Sequence, residues 1–271
     1  MSAVLFAGVS GLSQERASRL VFELRTATEA TDRKALKGWA KRCGALAAAA
    51  GLRRIRLVGR MLRALARWLG FEAWAALKAA WRRELRNHVR ARVAAGSGQA
   101  GKSLRQSADA VAGMIRLAAK NPADAGVQMM VAVFGFYLGG GGLDGDGGIP
   151  DLDLEFGIGA HRSIFSHSVL AGVAAEVLLL GLVDLAKVLA DRLPADHDPL
   201  WDALIRFGER TALSLGLGLS AGVAYHLFVD AGIQPASYKD LPVSMSMDAH
   251  KAVFGANAAV EAAATATRNE I

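Results

Sequence analysis

The sequence predicts an all-α protein, and three observations support that class. Apolar residues recur at helical spacing, as at Leu20, Val21 and Leu24 and again at Ile55, Val58, Leu62, Leu65 and Leu69. Runs of β-branched residues are few and there are only 6 prolines, which argues against a sheet-rich chain. Hydrophobic residues make up 52% of the chain at a mean hydropathy of +0.26. That value lies between soluble helical proteins and membrane-associated ones.

At 271 residues the chain suits one large domain or two modest ones. The single cysteine, Cys43, excludes an intrachain disulfide framework or a thiolate metal site and favours a reducing compartment. A net charge of +7 conceals an asymmetry: residues 1–125 carry 24 Lys+Arg against 8 Asp+Glu, whereas residues 126–271 carry 8 against 17. This change of sign sets an expected boundary, with a basic helical region over 1–125 and a second helical domain over 126–271. A basic half suits phosphate, from nucleic acid or from an anionic lipid surface. An acidic half with histidines suits cations.

Met1–Gly11 is apolar but lacks a basic leading segment, so the N-terminus is expected in the cytoplasm. Ser13–Glu29 reads as a helix capped by Ser13, and Thr31–Ala50 as a second that Gly51 ends. Leu52–Val93 is the most basic stretch, with Arg53, Arg54, Arg56, Arg60, Arg63 and Arg67 beside Trp68, Phe71, Trp74 and Trp81. That pattern fits the outer face of a bundle, a helix lying on an anionic membrane, or a nucleic-acid track with aromatic stacking platforms.

Gly96–Ser103 (GSGQAGKS) satisfies the phosphate-loop pattern G-x-x-x-x-G-K-[ST]. A basic helix precedes it where a buried strand is required, so a linker is expected. Ser107–Lys120 reads as a helix that Pro122 ends. Gly126–Leu143 carries no charge and suits either a short membrane span or a buried core helix, followed by a glycine-rich loop. Val169–Ala190 reads as a long apolar helix, Arg192–Leu200 as a connector, Trp201–Arg210 and Ala212–Asp230 as helical, and Met247 as the start of the last helix.

The candidate chemistry lies in three short stretches. Pro150 favours a turn that lets Asp151 and Asp153 both point inward. His161 and His167 face one site if His161 stands at a helix entrance and His167 in its first turn, with Ser163 or Ser166 as cap. His226 and Asp230, four apart, project from one helix face. Carboxylate and imidazole are the donors that hold borderline and hard divalent metals. Arg162 stands beside them as a cation for a phosphate oxygen.

In their order P-D-x-D, H-R-x-x-x-S-H-S and H-x-x-x-D, these residues resemble the bacterial YdjM-like family of inner-membrane metal-dependent hydrolases. The resemblance spans Gly147–Gly232, about a third of the chain, and Ser163 stands where family members usually carry glycine. It implies a metal-dependent hydrolase associated with the cytoplasmic side of the inner membrane, with a soluble cytoplasmic protein as the alternative. Asp151, Asp153, His161, His167, His226 and Asp230 would be ligands to one or two Zn²⁺ ions, with Mn²⁺ or Mg²⁺ as substitutes. Arg162 would stabilise the transition state. The expected reaction is phosphoester hydrolysis on a phospholipid-type substrate. Two alternatives stand beside it: a metal-dependent nuclease whose basic half holds DNA or RNA, and a non-enzymatic membrane-associated helical assembly with a structural metal.

Overall fold

The computed structural model describes residues 13–92, 118–144, 147–157, 162–233, 236–240 and 244–266. Every regular element among them is helical, as expected. The first is α1, Gln14–Glu29, whose N-cap Ser13 accepts a hydrogen bond from the Arg16 N–H. The second, α2, runs uninterrupted over Arg33–Trp81, so Gly51 does not end a helix. A helical glycine costs only about 1 kcal/mol relative to alanine, and no proline or polar cap follows it to stop the run. Then come α3 (Pro122–Gly140), α4 (Gly148–Asp151) with a 3₁₀ turn over Leu152–Phe156, α5 (Val169–Ala190), α6 (Leu200–Phe228) with a π-helical turn over Val229–Ile233, and α7 (Met247–Ala266). The GSGQAGKS segment and most of the helix expected over 107–120 lie outside the described residues.

The chain divides into two compact units, residues 1–54 with 131–271, and residues 55–130. In the second unit Ile55, Leu62, Leu65, Trp68, Leu69, Phe71, Trp74, Leu77 and Trp81 are all exposed. Glu72 pairs there with Arg92, and the Arg92 guanidinium lies 5.1 Å from the Phe71 ring centroid.

In the first unit the core is small: Ala171, Val223, Leu227, Ala236, Tyr238, Phe254 and Ala258 pack together where α5, α6 and α7 meet. A second seam joins α3 to α6 through glycines. A Cβ on Gly218 would stand 1.9 Å from the Ala132 carbonyl oxygen, and one on Gly222 would stand 2.3 Å from that of Phe136. Backbones this close admit only glycine, the small-residue contact by which helices associate when water does not drive them together. Two helical stretches, Val169–Ala190 and Leu200–Ile233, are long and apolar enough to cross a membrane.

Charge is buried inside this unit. Arg54, 3% exposed in its side chain, reaches both Glu176 on α5 and Glu261 on α7, and Arg53 also pairs with Glu176. Burial pushes the Glu261 carboxyl up, against the pull of Arg54. Gly172 makes room for this group, since a Cβ there would meet the Glu261 carboxylate at 2.2 Å. A second polar clamp holds α1. Arg16 donates to Asp198 through Nε at 2.7 Å, while buried Glu23 accepts from Arg19, the Asp198 N–H and Trp201 Nε1.

Breaking a buried ion pair on one side costs about 3–5 kcal/mol, whereas replacing the whole cluster by apolar groups of similar volume is often neutral. Arg54→Met is therefore expected to lower unfolding stability by that amount in chemical denaturation. Replacing Arg54, Glu176 and Glu261 together by apolar residues is expected to cost much less.

The α1 clamp adds a pH dependence. The Asp198 carboxyl is held well below its ordinary value, first by Arg16 and then by the Leu200 N–H. Glu23 is also lowered; burial opposes its ionisation, but the bonds from Arg19, Asp198 and Trp201 outweigh it. Depressed carboxyl pKa values contribute stability that is complete above the ordinary carboxyl range and lost as pH falls through the depressed values. Hydrogen exchange, corrected for intrinsic rate, is expected to show α1 protected at neutral pH and progressively released below about pH 4. Asp198→Asn should release it at neutral pH.

Candidate metal centre

Four stretches converge on one buried point. α4 is a single helical turn with Pro150 in it, a position where a missing N–H costs nothing. This turn delivers Asp151. The Gly147 N–H donates to Asp151 Oδ2 at 2.6 Å, so that oxygen is occupied and Oδ1 is turned to the imidazoles. His167 lies just before α5, whose N-cap is Ser168 and not Ser163 or Ser166; the Ser168 hydroxyl accepts from the Leu170 N–H. His226 comes from the last turn of α6, and Asp230 from the π-helical turn after it.

The distances define the cluster. His167 Nε2 is 3.3 Å from His226 Nε2 and 3.3 Å from Asp151 Oδ1. His226 Nε2 is 3.7 Å from the same Asp151 oxygen. Asp230 Oδ2 lies 3.5 Å from His226 Nε2 and 3.7 Å from His167 Nε2. Asp151, His167 and His226 thus offer donor atoms close enough to hold a metal ion. At Zn–N and Zn–O lengths of about 2.0–2.2 Å, neighbouring tetrahedral ligands stand roughly 3.3–3.6 Å apart. The observed separations fall close to that range.

Burial makes the arrangement costly without a counter-charge. His167 is fully buried, and His226 and Asp230 are nearly so. Asp230 Oδ2 makes no hydrogen bond among the described residues. The Asp151 carboxyl is held below its ordinary value. Burial works against its ionisation, but the His167 and His226 rings in their protonated form, and the Gly147 N–H, prevail. The carboxyl groups of Asp151, Asp153 and Asp230 share this region with the Arg162 guanidinium, whose Nη2 stands 3.5 Å from Asp230 Oδ1. With both imidazoles neutral, as metal ligation requires, a divalent cation would balance the carboxylates.

Not every expected ligand meets at this point. Asp153 lies behind His167, with Oδ2 3.4 Å from Nδ1, the ring nitrogen turned away from the cluster. Arg162 borders the cluster with a left-handed backbone, φ 64°. His161 lies outside the described residues. His250 is buried but faces elsewhere, its Nδ1 accepting from the Tyr238 N–H.

Four contributors escaped the sequence reading. Tyr238 donates its hydroxyl to the His167 carbonyl at 2.6 Å while its ring stacks on Phe254 at 4.2 Å. Phe254 in turn meets the His167 ring edge-on at 6.3 Å. Asp240 accepts the Ile164 N–H, and Asn257 accepts the Val169 N–H, so both hold the histidine loop. For Tyr238 and Asp240 the only signal was their place in a short non-periodic segment after H-x-x-x-D; Phe254 and Asn257 lie within the last helix and carried none.

Comparison of the chain with protein-family models, characterised proteins and solved structures returns no match. Function therefore rests on the geometry of this cluster.

Elemental analysis of the purified protein is expected to find a bound divalent transition metal. Asp151→Asn and His226→Ala should each lose it, while Asp248→Asn, whose side chain is 95% exposed, should retain it.

Proposed function

We propose that this protein is a metal-dependent phosphoester hydrolase working at a membrane on a phospholipid-type substrate. The observation that carries this reading is the convergence of His167, His226, Asp151 and Asp230 on one buried point. Zn²⁺ is the preferred ion, one or two per chain, because imidazole and carboxylate at near-tetrahedral spacing suit it; Mn²⁺ or Mg²⁺ could substitute. A bound ion would supply an activated water and polarise a phosphoryl oxygen. The imidazoles and carboxylates would hold it.

Arg162 is the group that favours a phosphate. Its guanidinium sits at the border of the cluster with its side chain 31% exposed, able to meet an incoming anion. Its charge would stabilise that developing on the phosphoryl oxygens in the transition state. The left-handed backbone at Arg162, uncommon outside glycine, fits a side chain held for a task.

A membrane setting is supported by the apolar helices. Large side chains such as Met129, Phe134, Tyr137, Leu178, Leu182 and Phe207 are exposed on α3, α5 and α6. The basic stretch over 55–92, with exposed Trp68, Trp74 and Trp81, suits an anionic lipid surface on the cytoplasmic side. The same stretch also favours the second reading, a nuclease that holds DNA or RNA through arginines and stacked tryptophans.

The test gives metal-loaded protein two substrates, phosphatidylglycerol vesicles and a single-stranded oligonucleotide. Lipid cleavage that stops in chelator and falls at least a hundredfold in His226→Ala and Arg162→Ala is expected. Oligonucleotide cleavage alone would replace the lipid reading with the nuclease. Bound metal with neither activity would leave a structural metal in a membrane-associated assembly.

A further inference from the structure

The face of His167 opposite the metal cluster carries its own network, which none of the roles above uses. Ser166 Oγ donates to Asp153 Oδ2, and the Ser163 N–H donates to the same oxygen at 3.3 Å. Ser166 Oγ stands 2.9 Å from Ser163 Oγ and 3.0 Å from His167 Nδ1. Ser163 Oγ accepts the Ser166 N–H at 3.2 Å, and the Ser163 carbonyl accepts the His167 N–H at 2.9 Å. Asp153 is buried, so the carboxylate that anchors the network is shielded from water.

The protons in this network can be assigned by elimination. A carboxylate only accepts, and a serine hydroxyl has one proton to give. Ser166 Oγ also reaches the Ser163 carbonyl at 3.2 Å, but the Asp153 carboxylate is nearer and charged, and takes the proton. Its oxygen then offers lone pairs to the two neighbours able to donate, the Ser163 hydroxyl and His167 Nδ1. An imidazole that carries its proton on Nδ1 has a bare lone pair on Nε2. Nε2 is the nitrogen that faces His226 and Asp151 at 3.3 Å.

We infer that Ser166, backed by Asp153 and Ser163, is a positioning residue that holds His167 in the Nδ1–H form and so presents Nε2 as a donor to a divalent cation. This inference rests on the metal-centre reading and deepens it. Asp153, expected from the sequence as a ligand, acts here one step behind the ligand. The Ser163 hydroxyl fills the acceptor site that Ser166 would otherwise leave to water.

Co²⁺ uptake by the purified full-length chain, followed by visible absorption, tests the inference without relying on turnover. Losing a group that orients a metal-bound histidine lowers affinity roughly 10–100-fold. Ser166→Ala is expected to weaken Co²⁺ binding within that range and to alter the absorption band. Ser166→Thr, which keeps the hydroxyl, should restore both, and Ser163→Gly should weaken binding by less than Ser166→Ala. Wild-type protein that binds Co²⁺ alongside a Ser166→Ala variant of equal affinity and spectrum would overturn the positioning role alone. Wild-type protein that takes up no Co²⁺ would overturn the metal centre, and this inference with it. Should Ser166→Ala not fold, ¹⁵N-histidine spectra of metal-free wild-type protein decide the matter. Protonation of His167 at Nδ1 supports the inference, and protonation at Nε2 rejects it.

Discussion

Two imidazole nitrogens face each other at 3.3 Å in a space closed to water, with a carboxylate oxygen close to each. That apposition is the constraint on which the rest of the structure depends. Lone pairs and negative charge brought together without solvent repel one another, and leaving them unpaired would cost several kcal/mol. Such a cluster is stable in two ways: protons can be shared among its members, or a cation can sit among them. Protonated imidazoles would restore the charge balance, but they would set two positive rings 5.2 Å apart between their centroids. A divalent ion could instead be held by Asp151, His167 and His226 together, whose spacing is near what a tetrahedral coordination sphere requires.

Holding that cluster together explains several features that otherwise look wasteful. α7 puts Phe254 against His167, and Tyr238 covers Phe254 while bonding the His167 carbonyl, so the core packs directly beneath a polar site. Further along α7, Glu261 is tied to Arg54 and so to α5 through Glu176. This second buried cluster fastens α7 to the helix that begins beside His167. The α3–α6 seam removes side chains from both faces to bring backbones into contact, and His226 emerges one turn beyond it. Packing, buried charge and glycine contacts all lock the helices whose ends carry the donors.

The helices were legible in the sequence because their apolar spacing is long and regular. Val169–Ala190 matches the expected bounds, and the last helix begins at Met247 as expected. Termination was harder to read. Gly51 is flanked by Ala50 and Leu52, good helix formers that carry α2 through it, and a glycine alone does not stop a helix. The donor types were legible too, since aspartate and histidine stand out against apolar surroundings. Which atom each presents was not. Asp151 and Asp153 are two apart, and the switch from α-helix to 3₁₀ turn between them sends one to each side of His167. No composition or spacing rule encodes that. The histidine loop is held by Tyr238, Asp240 and Asn257, which lie 71 to 88 residues from their partners, a separation beyond any local pattern.

The first unit also inverts the usual placement of side chains. Glu23, Arg54, Asp153, His167, Glu176, Asp198, His226, Asp230 and Glu261 are buried, while leucines and phenylalanines of α3, α5 and α6 face outward. Scattered exposed apolar residues are ordinary in water. Their concentration on the helices that also meet through bare glycine backbones is not, because in water those faces would be the ones to bury. In lipid the balance reverses: the tails solvate leucine as well as a core does, and helix contacts come from close backbone packing and buried polar groups. A metal centre at the ends of two such helices would stand where apolar solvent gives way to phosphate. Under the proposed function, a lipid phosphoester could then reach Arg162 while its acyl chains remain beside the outward leucines.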